Sequence, residues 1–461
     1  MRTRRPPPRI NDGATLRTSS AAARVRSTRR ENKENEARQP IQQDLPRSSI
    51  STPKVKPITI HRALAAANTA VISDTVHFST LSEHDVVDST SLSPATVLKG
   101  LVTEGDVYYH LWVAARSVIE EEDWNCLDSR IVQRTLERFL LELGIAFYER
   151  NGGPHLTFID PRKNDDTADM VNSAKRLVNS FCGRGLSKEK IVISIPATED
   201  GVAAAKELET AGIHTNLMFV ANVLHAAFCA SAGATAVSIA VGPLLRCHER
   251  KRNAQYPDFA NHPGIEIIQT TLEYFKLHGI ETRIVGRDFR QLAELSALSG
   301  FDAVCLSKDQ VEALRCKTTE NRSGVDLLDK PPQGSLRARQ VQHPAKLPGD
   351  GRPGFMRLMS ARTRGMVAET LYSALGKLEL QMNAIEKIVR AEVAWQLALS
   401  KLDLDALYEW WASMPPPSPD TRKRRDGETE KRVGSEKGRT PLADACEPES
   451  KVGLIEGVEY F

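Results

Sequence analysis

The stretch IVISIPATEDGVAAAKELETAGIHTNLMFV, residues 191–220, sets a strand, a helix and a second strand in immediate succession. IVISI is a β-branched apolar run of strand length, the composition that fits a sheet buried on both faces. DGVAAAKELETAG (200–212) follows with apolar residues at helical spacing and ends on Gly212, a natural C-cap. IHTNLMFV (213–220) is again strand-like, so the segment reads as one turn of a parallel sheet with its crossover.

Working outward, similar short runs recur at AVIS (70–73), VVDST (86–90), HLTFID (155–160), TAVSIAV (235–241), ETRIV (281–285) and DAVCLS (302–307). With the two runs above, eight strands are expected, enough to close a barrel. Helical patterns separate them: MVNSAKRLVNSF (170–181) puts Met170, Ala174, Leu177, Val178 and Phe181 on one face. A longer helical insert, 106–150, carries an apolar stripe and is expected to form barrel wall. After Cys316 a charged stretch with prolines and glycines, 317–352, reads as an irregular connection. Residues 353–413 then form C-terminal helices, in which Val367, Leu371, Leu375, Leu378, Met382, Ile385, Val389 and Val393 repeat at helical spacing. A stripe this short suits one or two helices packed back on the barrel better than a coiled coil.

The two ends have another composition. Residues 1–55 are rich in Arg, Pro, Ser and Gln, and 414–461 mix prolines with charges of both signs. Neither buries enough apolar surface to offset its ordering entropy, so both are expected to be disordered. Their arginines, and the cluster Arg422, Lys423, Arg424 and Arg425, read as a solvated tail or as a nuclear-import or nucleic-acid patch. A transit peptide fits less well, because Pro6, Pro7 and Pro8 would break its helix. Over 461 residues the formal net charge is only +3, which gives the folded part no field to attract nucleic acid. No long apolar run or signal-peptide core is present, and the seven cysteines show no metal-ligand spacing. A cytoplasmic protein with reduced thiols, no metal and no cofactor is therefore expected.

Several ordered blocks carry a family resemblance. Residues 191–220 resemble the transaldolase segment that runs from an isoleucine-rich strand through K-I-P-A-T-x-x-G to G-I-x-x-N-L-T. TFIDPRKNDDTADMVNSAKRLV (157–178) is similar to T-E-V-D-P-R with its following helix. HPGIEIIQTTLEYFKLHGIETRIVGRDFR (262–290) resembles D-P-G-V, a Y-Y-K-x-H-G helix and a strand ending in G-A-S-F-R. VISDTVHF (71–78) and DSTSLSP (88–94) resemble the first strand and the D-A-T-T-N-P turn. The resemblance implies an α/β fold, the (β/α)8 TIM barrel of the class I aldolase and transaldolase type, over 61–316. It also implies dihydroxyacetone transfer between sugar phosphates of the pentose-phosphate pathway, through a lysine imine.

That chemistry is altered at its centre. The imine lysine maps onto Ser194 and the acid/base glutamate onto Phe158. A hydroxyl forms no imine, and a phenyl ring moves no proton. The threonine of N-L-T maps onto Met218, the turn asparagine onto Ser93 or Leu92, and two phosphate-side residues onto Pro243 and Asp288. Matching positions are Asp74, Asn216, Ser238 and the phosphate-binding Arg290. Asp74 could instead cap the following helix, and Arg290 could serve a surface salt bridge. Lys188 and Lys190 precede the fourth strand and lie at the wrong face, whereas Lys163 and Lys308 follow strands and lie at the right one. Three readings follow: a barrel that has lost Schiff-base catalysis but binds a sugar phosphate, a transferase using relocated Lys308 or Lys163, and a non-catalytic scaffold.

Overall fold

The computed structural model describes residues 59–78, 81, 86–121, 126–257, 261–298, 300–316, 337–341 and 354–400. The expected arms at 1–55 and 414–461, and most of the 317–352 connection, lie outside the described residues.

Eight parallel strands close a barrel in sequence order. They are β1 Ala70–Asp74, β2 Ser89–Ser91, β3 His155–Phe158, β4 Ile191–Pro196, β5 His214–Met218, β6 Ala236–Ala240, β7 Arg283–Arg287 and β8 Ala303–Ser307. The helices are α1 Ile60–Ala66, α2 Pro94–Thr103, α3 Gly105–Glu121, α4 Ser129–Asn151, α5 Thr167–Gly183, α6 Glu199–Thr210, α7 Val223–Ser231, α8 Val241–Arg252 and α9 Pro263–Leu277. They continue with α10 Ala293–Ala297, α11 Lys308–Cys316, α12 Phe355–Leu358 and α13 Ala361–Leu399. All eight expected strands are present, with boundaries that move most at β2, which covers Ser89–Ser91 in place of 86–90, at β5, which covers His214–Met218 in place of 213–220, and at β7, which runs on to Arg287. The wall insert is two helices, α3 and α4, and the C-terminal stripe is one continuous helix of 39 residues.

Because side chains alternate along a strand, the barrel has an inner and an outer set. The lower interior is filled by Ile72, Leu156, Ala236, Val285, Ala303 and Cys305, which form one apolar cluster. Outward positions pack against the helices: His155 stacks on Phe147 and lies against Phe181, with its Nδ1 2.9 Å from Thr90 Oγ1. At the strand starts, carboxylates pin the register. Glu209 accepts from the backbone N–H and the hydroxyl of both Thr215 and Thr235, at 2.6–3.0 Å.

The β4-to-α6 turn shows why the opening segment folds as it does. Thr198 caps α6 by accepting from Gly201 N at 2.9 Å, and Glu199 and Asp200 complement the helix dipole in the first turn. A Cβ on Gly201 would stand 2.0 Å from the Pro196 carbonyl oxygen. Gly201→Ala is therefore expected to cost about 3 kcal/mol or more, the upper end for forced overpacking. Urea unfolding of the purified variant measures it; an unchanged midpoint would show that the turn can relax.

Candidate functional site

The strand C-termini converge on one mouth, the face on which sites of this fold are built. Here β4, β5 and β6 lie side by side with Ser194 in register with Asn216. Asn216 Nδ2 donates to Ser194 Oγ at 3.2 Å, and Ser238 Oγ donates to Asn216 Oδ1 at 2.7 Å. All three are buried, at 3%, 0% and 1% exposure, so the amide is satisfied by the two hydroxyls and not by solvent. Three of the sequence-derived site residues thus form one chain of neutral hydrogen bonds. No base touches the Ser194 hydroxyl among its described partners, so nothing there prepares it as a nucleophile.

Phe158 is the β3 neighbour of Ser194 in register and is 1% exposed. It borders a small cavity of about 30 Å3 whose lining also includes Leu136, Leu140, Leu177 and Met382. Phe158 is thereby part of an apolar contact with the outer helices and α13.

Asp74 ends β1 and accepts from Thr96 Oγ1 at 2.8 Å. It does not cap α2: that role belongs to Ser93, which accepts from Thr96 N at 3.3 Å. Ser93, one of the two residues on the turn-asparagine position, is therefore committed to a helix N-terminus. Burial pushes the Asp74 carboxyl above the usual carboxylate range, against the opposing pull of Arg287 and of its hydroxyl donors.

Arg290 is held on two sides. Its Nε donates to Glu294 Oε1 at 2.6 Å and its Nη1 to Glu249 Oε1 at 2.9 Å, while its backbone N–H donates to Glu294 Oε2. Glu294 is fully buried. Glu249 is also 3.3 Å from Nε2 of His262, whose Nδ1 accepts from Gly264 N, so the ring proton points at the carboxylate. His262 stands where the family's segment has the aspartate of D-P-G-V. Two carboxylates on one guanidinium leave little net charge for a phosphate. Asp288 adds another acid nearby, in left-handed backbone at φ 56°, and its carbonyl accepts from Gly242 N beside Pro243.

The two lysines expected at the correct face are Lys163 and Lys308. Lys163 pairs with Asp169 at 2.6 Å. Lys308 is the first residue of α11, and the charged neighbours of Asp74 are Arg287 and Asp288 instead.

Sequence reasoning passed over Arg287, a cation that does enter the mouth. It occupies the alanine position of G-A-S-F-R and is paired with Ala240 of β6. Its Nη1 lies 3.4 Å from Met218 Sδ on β5, and its Nη2 lies 3.7 Å from Asp74 Oδ2 on β1. The side chain therefore reaches across the lumen between two opposite walls. The available signal was an arginine at an inward position of β7, obscured because the strand was expected to end at Val285.

The mouth is roofed by α13. Leu371, Leu375 and Leu378 form an apolar cluster with Met218, Phe219 and Ala240. The helix is tied at one end by Arg250 and Lys251 to Glu369, in its middle by Arg162 to Asn383 and Glu386, and near its other end by Tyr108 to Glu392. At 1.5 Å rise per residue, the ties from Glu369 to Glu392 span about 35 Å, enough to cross a barrel. Phe219, beneath it, is held at φ 67°, a conformation that costs a bulky residue about 1–2 kcal/mol.

A closed parallel barrel with its polar strand ends gathered under a crossing helix defines a (β/α)8 protein with its site at the C-terminal face. The model of the Transaldolase/Fructose-6-phosphate aldolase family matches residues 109–343, just over half of the chain, and the chain belongs to that family. It is 29% identical over 255 residues to the transaldolase of Schizosaccharomyces pombe, covering 55% of this chain and 77% of that protein. It is 28% identical over 255 residues to a probable transaldolase of Dictyostelium discoideum, covering 54% and 76%. A transaldolase of Thermosynechococcus vestitus is 31% identical over 197 residues, which are 42% of this chain and 50% of that one. Among the described residues, no helix is long and apolar enough to cross a membrane.

Proposed function

We propose that this protein is a transaldolase-family barrel that has given up imine chemistry and retains a ligand-binding role in sugar-phosphate metabolism. The observation that carries the reading is the Ser194–Asn216–Ser238 hydrogen-bond chain, which occupies the imine position with neutral groups. Phe158 supports it, since the adjoining strand offers a packed ring where a proton carrier is needed. In this reading Asp74, Asn216 and Ser238 are binding residues and Arg290 is structural. The barrel over 61–316 is the working part, 353–413 its roof, and the terminal arms accessory, with a cytoplasmic location.

The rival reading, a relocated lysine, finds no support in the contacts of Lys163, whose amine is engaged by Asp169. Borohydride reduction in the presence of fructose 6-phosphate, read by intact mass and by a coupled assay for dihydroxyacetone transfer, separates the two. The expected result is no reduced adduct and no transfer. A lysine-linked adduct at any position overturns the proposal.

A further inference from the structure

Arg287 is 6% exposed and sits inside the barrel, yet its five N–H donors have few acceptors. Its closest polar contact is a thioether sulfur, at 3.4 Å. The two carboxylates that face it lie beyond hydrogen-bonding distance, Asp74 Oδ2 at 3.7 Å from Nη2 and Asp288 Oδ2 at 3.9 Å from Nε. Buried guanidinium groups are ordinarily matched by carboxylates at hydrogen-bonding distance, because the desolvation cost of the charge is otherwise not recovered. Asp74 cannot close the gap freely, since its other oxygen is engaged by Thr96. Cys305, also beside Arg287, is a neutral thiol pushed up to about 12 by burial and supplies no counter-charge.

We propose that the lumen is an oxoanion site in which the Arg287 guanidinium takes the anionic head of a small ligand. The fork of the guanidinium suits a carboxylate or a phosphate equally, so the recognised chemistry is the oxoanion itself. The roof of Leu371, Leu375 and Leu378 limits the ligand to a small one. This keeps the anion away from Arg290, which Glu249 and Glu294 engage at 2.9 and 2.6 Å, whereas the carboxylates facing Arg287 stand at 3.7 and 3.9 Å. The inference goes beyond the loss of imine chemistry and does not depend on it: the borohydride outcome and the anion outcome can each fail alone.

The test uses the full chain with 13C-methyl-labelled methionine, titrated separately with inorganic phosphate and with glycerate at constant ionic strength. Met218 touches Arg287, so its methyl resonance, assigned through Met218→Leu, reports the lumen. The expected result is a saturable shift of that resonance with one site per chain, for phosphate, glycerate or both; which of them acts identifies the phosphate or carboxylate source. Arg287→Met should weaken binding about 10- to 100-fold, the worth of a charge-assisted pair, and Arg287→Lys should fall between. Should Arg287→Met fail to fold, protection of Arg287 from phenylglyoxal in the wild-type chain by the same anions replaces it. A Met218 resonance unmoved by both anions, unchanged affinity in Arg287→Met, or no protection of Arg287 overturns the proposal.

Discussion

Ser194→Lys is expected to yield a protein with no detectable dihydroxyacetone transfer and a stability lower by about 2–4 kcal/mol, the range for forcing a bulkier polar group into a filled buried site. Position 194 is 3% exposed, and its hydroxyl accepts from Asn216, which the substitution leaves with an unmatched amide proton. A lysine there is desolvated and shares the lumen with the permanent cation Arg287, so its amine is driven toward the neutral form. Neutrality is what an imine-forming amine needs, and that step alone could be regained. Proton transfer is not expected to return, because Phe158, which the family resemblance sets at the acid/base position, moves no proton, and such a group is worth about 10²–10⁴ in rate. Arg287 and the leucines of α13 still occupy the space above the amine. Transfer is therefore expected to emerge only when Phe158→Glu and Arg287→Ala accompany Ser194→Lys. A coupled assay on the three cumulative variants, with urea unfolding alongside, decides; robust turnover in the single mutant would show that the other two positions matter little.

The contrast between what the sequence disclosed and what it hid has a physical pattern. The strands were legible because both-face burial leaves uninterrupted β-branched runs, as in IVISI and AVSIA, and their helices because Met170, Ala174, Leu177, Val178 and Phe181 repeat at helical spacing. Ser194 and Phe158 drew attention in the sequence because they sit inside long blocks that resemble the family's. Arg287 was not, since a charged residue ends an apolar strand pattern by eye while here it continues β7 inward. The course of α13 was half legible. Its stripe announced that it packs on the barrel, but where it packs depends on ties such as Arg162 to Glu386 and Tyr108 to Glu392, pairs remote in sequence that no local periodicity encodes. The fate of Arg290 was hidden for the same reason: Glu249 lies on α8, remote in sequence, and only folding brings it to 2.9 Å.

Acidification is expected to destabilise the fold well before its carboxylates titrate. His155 and His225 are fully buried, and burial lowers their pKa to about 3 and about 4. In an unfolded chain both titrate near 6.5, so below that pH the unfolded state binds more protons than the native one. The stabilising contribution of the neutral rings is thus complete above about pH 6.5 and is lost progressively as pH falls toward the native values. Each ring loses roughly 1.4 kcal/mol per pH unit in that window, or about 2 kcal/mol between pH 6.5 and 5. The two together amount to about 4 kcal/mol, a large part of a typical domain's stability. The geometry explains the resistance of His155 to charging: its Nδ1 is matched by Thr90 Oγ1, its Nε2 has no hydrogen-bond partner, and Phe147 and Phe181 enclose the ring. Urea midpoints measured from pH 7.5 to 5 should therefore fall steeply, and His155→Leu should make that slope clearly shallower while lowering stability at pH 7.5, with His225 and His248 carrying part of the remainder. A slope unchanged by the substitution would place the acid sensitivity elsewhere in the barrel.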